Sequence, residues 1–301
     1  GIRGIAYCGA LMELENAGIL SSVETMGGTS SGAITACFYS VGYTPTEIYE
    51  VIGNTNFGQF NDGKWGIIGG LYRLKNELGY YPGDELLSWL EDHIEAKTGN
   101  RNLTFLELSQ LAESHTNFKN LVIAATSLNH QRTLYFSTES YPHMRIADAV
   151  HASMAVPLYF EPVAIDKHGI VVEKSQVTTE HNLCADGGIT ANFMIDYFDH
   201  FPLNETLGLR IDTAEQIEND QTTGELAYQE TGDLSNYIQA FYYIIKETMN
   251  RTDLKPEDWE RTISIEDCKI GPKVKKLSTD QKQALIEAGK KGVQHYCEKR
   301  N

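Results

Sequence analysis

The 301 residues carry 41 acidic against 25 basic side chains, a formal net charge of −16, with 41% hydrophobic and 22% charged residues. This is the balance of a globular protein able to bury a sizeable core, and it argues against nucleic acid as a partner and against simple electrostatic adsorption to anionic lipid. No run approaches the ~20 apolar residues of a spanning helix and the first residues do not read as a basic, apolar leader, so membrane contact is expected to be transient and peripheral. The expected setting is the cytoplasm, with delivery outside the producing cell left open. Cys8, Cys37, Cys184, Cys268 and Cys297 are scattered and odd in number, without C-x-x-C or Cys/His metal spacing. They are expected to be reduced thiols, mostly buried, in a reducing compartment.

The chain opens with Gly1-Ile2-Arg3-Gly4, a glycine-basic-glycine turn that reads either as an anion cradle of exposed backbone N–H groups or as a flexible start. A helix through Leu11, Leu14 and Ala17 should stop at Gly18. Val23 to Met26 can be a short buried strand and Ala33 to Tyr39 a helix, with Gly28-Thr29-Ser30-Ser31-Gly32 between them at G-x-S-x-G spacing. Strand, turn and helix are the context of a nucleophile elbow, in which a serine hydroxyl stands at a helix N-terminus that favours an oxyanion. Taken alone, the same letters also describe a Gly/Ser turn before a helix.

Thr44-Pro45-Thr46-Glu47 has the spacing of a helix start. Residues 53 to 83 alternate glycine with large apolar groups, including Phe57, Phe60, Trp65, Ile67, Ile68, Leu71 and Tyr72. They are expected to form a mobile apolar lip over a site, a surface that dips into lipid, or loops and short helices packed on the core. Asp84 to Ala96 reads as an amphipathic helix and Thr104 to Glu107 as another capping box. Leu121 to Ser127 is a strand buried on both faces, with Thr133 to Ser137 its hairpin partner. Ile146 to Met154 reads as a short helix, followed by strand signals at Leu158 to Ile165, Gly169 to Glu173, Leu183 to Asp186 and Leu207 to Ile211. Residues 212 to 232 turn polar and acidic, a surface excursion; a helix from about Leu234 to Met249 then carries Ile238, Phe241, Tyr242 and Ile245 on one face. Thr262 to Ile265 is a late strand, and Ser278-Thr279-Asp280-Gln281 caps a terminal helix. Strands alternating with helices make one α/β domain over residues 1–301 the simplest architecture, with a motif-bearing core to about residue 211 and a helical part at 212–301.

The first turn, the elbow around Ser30 and Asp186-Gly187-Gly188 together resemble the patatin-like phospholipases, lipid acyl hydrolases with a G-G-G-x-R/K-G turn, a G-x-S-x-G serine and a D-G-G/A aspartate in that order. Residues 120–126 continuing to Phe136-Ser137, and Ala152-Ser153-Met154-Ala155-Val156-Pro157 continuing to Phe160-Glu161-Pro162, extend the likeness over roughly residues 1–211. The resemblance implies a three-layer α/β/α fold with a mainly parallel central sheet. It also implies Ser30 as nucleophile, Asp186 as its base, and Gly1, Ile2, Arg3 and Gly4 as the end of the oxyanion turn. The earlier glycines of that turn and the strand before them would precede Gly1, so an N-terminal piece ahead of this numbering is expected.

On this reading the substrate is a phospholipid or other lipid ester, cleaved through an acyl-serine intermediate without a metal or organic cofactor, and calcium independence is likewise an implication of the resemblance. A protein activator stays open. Three other readings remain: a catalytically silent lipid- or protein-binding module on the same scaffold, an interaction protein whose 53–83 segment recruits a partner, and a triad esterase needing a histidine. His181, His200 and His295 are the candidates for that histidine, all in contexts that read as surface or packing.

Overall fold

The computed structural model describes residues 2–64, 66–251, 254–271 and 276–300, so Gly1 of the first turn and Trp65 of the aromatic segment lie outside the described residues. The first elements are α1 (Ile5–Asn16), β1 (Thr25–Thr29), α2 (Ser31–Ser40), α3 (Pro45–Asn54), α4 (Gly66–Asn76), β2 (Gly79–Tyr81), α5 (Asp84–Thr98) and α6 (Phe105–Ser114). The middle holds β3 (Asn120–Ser127), β4 (Arg132–Phe136), α7 (Ile146–Ser153), β5 (Leu158–Phe160), β6 (Val163–Ile165) and β7 (Asn182–Asp186). The last are β8 (Gly208–Asp212), α8 (Ala214–Gln221), α9 (Leu234–Arg251), α10 (Pro256–Glu260), β9 (Thr262–Glu266) and α11 (Thr279–Glu298). The residues divide into two compact units, Ser22–Ala191 and Gly1–Ser21 with Asn192–Asn301.

In the first unit a mixed α/β core forms around β3, whose residues Leu121 to Ser127 are all buried, as its unbroken apolar run requires. β3 pairs in parallel with β1 and antiparallel with β4 and β7, and β7 continues antiparallel to β6. Parallel pairing thus carries the elbow strand and the two-stranded β2–β5 sheet, while the hairpin and the β6–β7 pair make the main sheet a mixed one.

The register places the site. Residues 123 and 124 meet both β1 and β4, and residues 125–127 meet both β4 and β7. A strand has only two edges, so β4 holds one and β1 and β7 share the other. They run toward each other there, ending with Thr29 opposite Ala124 and Asp186 opposite Ala125. Helices α2, α6 and α7 pack on this sheet and α5 packs on α7.

β1 runs through both glycines to Thr29, further than the 23–26 expected, because the ladder to β3 persists where side chains are absent. The 158–165 run is two strands broken at Glu161-Pro162, and β5 pairs with β2 instead of the main sheet. Residues 169–173 supply only an isolated bridge, Ile165 to Val171. The acidic 212–232 stretch contains α8.

In the second unit α1 packs on α11, α11 on β9, and β8 pairs in parallel with β9. The helices cross through small residues: a Cβ on Gly9 would stand 2.8 Å from the Ile286 carbonyl carbon, and one on Gly289 2.7 Å from the Ala10 nitrogen. Buried Arg210 is held by Asp212 at 2.7 Å and Glu247 at 2.9 Å, so the charge is compensated where water is excluded.

Candidate active site

The elbow is a strand-to-helix turn with one strained residue. Ser30 links β1 to α2 at φ 52° and ψ −121°, a conformation that a side-chain-bearing residue adopts at a cost of ~1–3 kcal/mol. The turn is sharp enough that a Cβ on Gly28 would come within 2.6 Å of the Gly32 carbonyl carbon, so the first glycine of the motif is sterically required. Thr29 anchors the turn by donating to the Ala191 carbonyl at 2.8 Å, and Ser31 and Gly32 open α2.

Because β1 and β7 end head to head on β3, Ser30 and Asp186 meet across 156 residues of sequence: the Ser30 hydroxyl donates to Asp186 Oδ2 at 2.8 Å. Asp186 is 2% exposed. Its other oxygen, Oδ1, accepts from the Gly188 amide at 2.7 Å, its own amide donates to Ala155, and Thr126 donates to its carbonyl. The carboxylate is thereby oriented, with one oxygen turned to the serine. Gly187 permits this approach, since a Cβ there would lie 2.7 Å from the Ala124 carbonyl carbon.

Two residues not assigned a role from sequence complete the surroundings. The Ser30 amide donates to Ser153 Oγ at 2.9 Å, and that hydroxyl donates to the Ala124 carbonyl at 2.6 Å, tying the elbow through α7 to β3. Met154 places its sulfur 3.8 Å from the Ser30 hydroxyl. A serine within the apolar run of α7 was the available signal, since a fully buried hydroxyl needs partners.

Ile2 to Gly4 form a short 3₁₀ turn leading into α1 in the other unit, where Arg3 pairs with Asp267 at 2.9 Å. Among the described residues, no histidine partners the Ser30 hydroxyl. His181 Nδ1 accepts from the Thr178 amide at 3.1 Å, the His200 ring donates to the Tyr197 carbonyl at 3.0 Å, and His295 is exposed on α11. His151, two residues before Ser153, is buried, its Nε2 has no hydrogen-bond partner among the described residues, and burial pushes its pKa down despite nearby Asp148, Asp62 and Glu91. Among the described residues no cluster of His, Cys, Asp and Glu is arranged to hold a metal ion.

A family model described as patatin-like phospholipase matches residues 1–199, and the chain belongs to that family of lipid hydrolases. An uncharacterized protein of Acanthamoeba polyphaga mimivirus is 30% identical over 97% of this chain and 89% of its own length. YqhO of Bacillus subtilis (strain 168), also uncharacterized, is 28% identical over 70% of this chain and 68% of its own. A protein of Invertebrate iridescent virus 6 named "Probable lipid hydrolase" is 27% identical over 65% of this chain and 59% of its own. The fold is shared with VipD from Legionella pneumophila, at a TM-score of 0.57 and 14% identity, covering 99% of this chain and 65% of that one. It is also shared with ExoU, in the ExoU–SpcU complex of Pseudomonas aeruginosa, at a TM-score of 0.58 and 18% identity, covering 100% of this chain and 50% of that one. The chain thus spans about half to two thirds of those solved chains.

Proposed function

We propose that this protein is a phospholipase A- or lysophospholipase-type acyl hydrolase that cleaves carboxylic esters of glycerophospholipids through a Ser30–Asp186 dyad. The observation that carries the reading is the 2.8 Å hydrogen bond from the Ser30 hydroxyl to a buried, oriented carboxylate. Family membership and the viral relative named as a lipid hydrolase support the substrate class.

In the first half-reaction Ser30 Oγ attacks the ester carbonyl carbon while Asp186 Oδ2 takes the hydroxyl proton. The tetrahedral oxyanion is met by backbone N–H groups, with the α2 N-terminus as the proposed donor. Collapse breaks the bond to the lipid alcohol, which leaves with the proton from Asp186, and an acyl-Ser30 ester remains. Water then attacks that ester, gives its proton to Asp186, and releases the fatty acid as the proton returns to Ser30. Asp186 thus relays each proton, from Ser30 to the leaving alcohol and from water back to Ser30.

The test is hydrolysis of a panel of phospholipids and lysophospholipids together with fluorophosphonate labelling. The reading expects fatty acid release and labelling of the wild type, both lost in Ser30→Ala. Labelling that survives in Ser30→Ala moves the nucleophile elsewhere, and a wild type that neither labels nor hydrolyses leaves a silent binding module.

A further inference from the structure

Helix α4 is built the wrong way round for a helix of a globular core. Successive helical residues are turned by about 100°, so Ile67, Ile68, Leu71 and Tyr72 share one side and Gly69, Gly70 and Arg73 the other. The small side is the packed one. Gly69 and Gly70 are buried, and a Cβ on Gly70 would stand 2.5 Å from Tyr80 Cε1, so the helix lies against β2 through its glycines. Arg73 fastens the same side, donating to the carbonyls of Tyr80 and Lys64, both at 3.1 Å. The large apolar groups face out: Ile67 is 73% exposed, Ile68 80%, Leu71 57% and Tyr72 66%.

The exposed surface continues past the helix. β2 pairs with β5, whose Leu158 stands opposite Gly79, and Leu78, Leu158 and Tyr159 are also exposed. β5 begins four residues after Met154, whose sulfur touches the Ser30 hydroxyl. Exposed large apolar groups gathered on elements that pack on one another, α4 on β2 and β2 on β5, mark an interaction site.

Charge selects the occupant. Between Asp62 and Glu77 the sequence has Lys64, Arg73 and Lys75 and no acidic residue, in a chain with 41 acids against 25 bases; Lys64 and Lys75 are exposed. Apolar side chains projecting from a short helix with cations beside them, the flanking Glu77 being paired with Lys174 at 3.0 Å, is the composition of an element that lies in a lipid–water interface, its hydrocarbon below the phosphates and its ammonium groups among them. A second copy of this chain, itself strongly acidic, offers less to exposed apolar groups than an acyl layer does.

We infer that α4, with Leu78, Leu158 and Tyr159, is the docking surface by which the protein seats itself on a phosphate-bearing lipid surface, beside the strand leading from the candidate active site. The choice of occupant rests on the lipid-hydrolase reading above, but binding can be measured without catalysis.

The experiment is co-sedimentation with vesicles of phosphatidylcholine containing about one quarter phosphatidylglycerol, comparing wild type with Ile68→Asp/Leu71→Asp and with Lys64→Glu/Lys75→Glu. These side chains are exposed, so circular dichroism and Tm should match the wild type. The apolar variant should lose vesicle partitioning by at least about tenfold, and the charge variant should lose most of the difference between anionic and pure phosphatidylcholine vesicles. Hydrolysis of a short-chain soluble ester should be unchanged in both. Wild-type binding that both variants retain overturns the inference. So does absence of vesicle binding combined with a concentration-dependent dimer, by light scattering, that Ile68→Asp/Leu71→Asp abolishes; a second copy would then be the occupant. If soluble-ester hydrolysis is absent from the wild type while vesicle binding still depends on α4, the docking surface stands and the hydrolase reading fails.

Discussion

At Ser30 three groups act on one residue: Asp186 on its hydroxyl, Ser153 on its amide and the steric demand of Gly28 on its backbone. Asp186→Asn keeps the shape but removes the proposed proton acceptor, and on the dyad reading kcat should fall by roughly 10³-fold or more, approaching Ser30→Ala, since members of one catalytic unit are not additive. Ser31→Ala should keep substantial activity, because Ser31 only opens α2. Single His181→Gln, His200→Gln and His295→Gln variants should stay within about tenfold of wild type; a 10³-fold loss in any of them, with the fold intact, would replace the dyad by a triad. Ser153→Ala leaves the Ser30 amide without its acceptor, and steady-state kinetics should show kcat reduced by about tenfold with KM little changed. His151 supplies a pH signature of stability. Burial lowers its folded pKa below the unfolded value of ~6.5, so as pH falls the unfolded chain takes up the proton first and stability is lost progressively below about pH 6.5. The wild-type Tm should therefore drop more steeply than that of His151→Gln between about pH 7.5 and 5.5. Parallel curves would count against this account.

Helix starts were the most legible elements, because a cap is a local chemical device. Thr44, Thr104 and Ser278 each accept from the backbone amide three residues on while Glu47, Glu107 and Gln281 reach back, as the spacing predicts. Faces were less legible. The apolar side of α9 was readable from its period, yet Ile238, Phe241 and Ile245 are exposed, and period alone does not say which side meets a neighbour. Packing between distant elements was not legible at all: the crossing of α1 on α11 depends on Gly9 and Gly289, whose letters carry no sign of a partner some 280 residues away. Gly289→Ala should overpack that crossing and cost about 1–3 kcal/mol, read as a lower denaturation midpoint. Gly271→Ala, where a Cβ would meet nothing within 4 Å among the described residues, serves as the control and should be near neutral.

Over the whole molecule, thiol chemistry and net charge give separate checks. Cys8, Cys37 and Cys184 are buried, and burial pushes their pKa values up to about 12, so the nucleophilic thiolate is suppressed at neutral pH. Cys268 and Cys297 are partly exposed. Titration of the native protein with a disulfide reagent should report no more than these two thiols quickly, and all five after denaturation. A fast native count above two would mean the core opens readily. The net charge of −16 and sequence pI near 5.0 predict that solubility at low salt is least near that pH, where self-repulsion vanishes.

The order of motifs along the chain, the strand and helix types around them and the family they resemble all follow from local chemistry: alternation and run length, cap residues, and glycines where backbone must turn. Those features act within a few residues, so they survive in the letters. The meeting of Ser30 with Asp186 does not, because it depends on β1 and β7 arriving from opposite directions at adjacent positions of β3, a register set by sheet pairing. The same holds for Ser153, whose hydroxyl becomes a support for the elbow only once α7 is laid on β3, and for α4, whose apolar face turns outward only because its glycines are the side that fits Tyr80. Packing is a property of pairs of distant surfaces, and no single stretch of sequence holds both members of the pair.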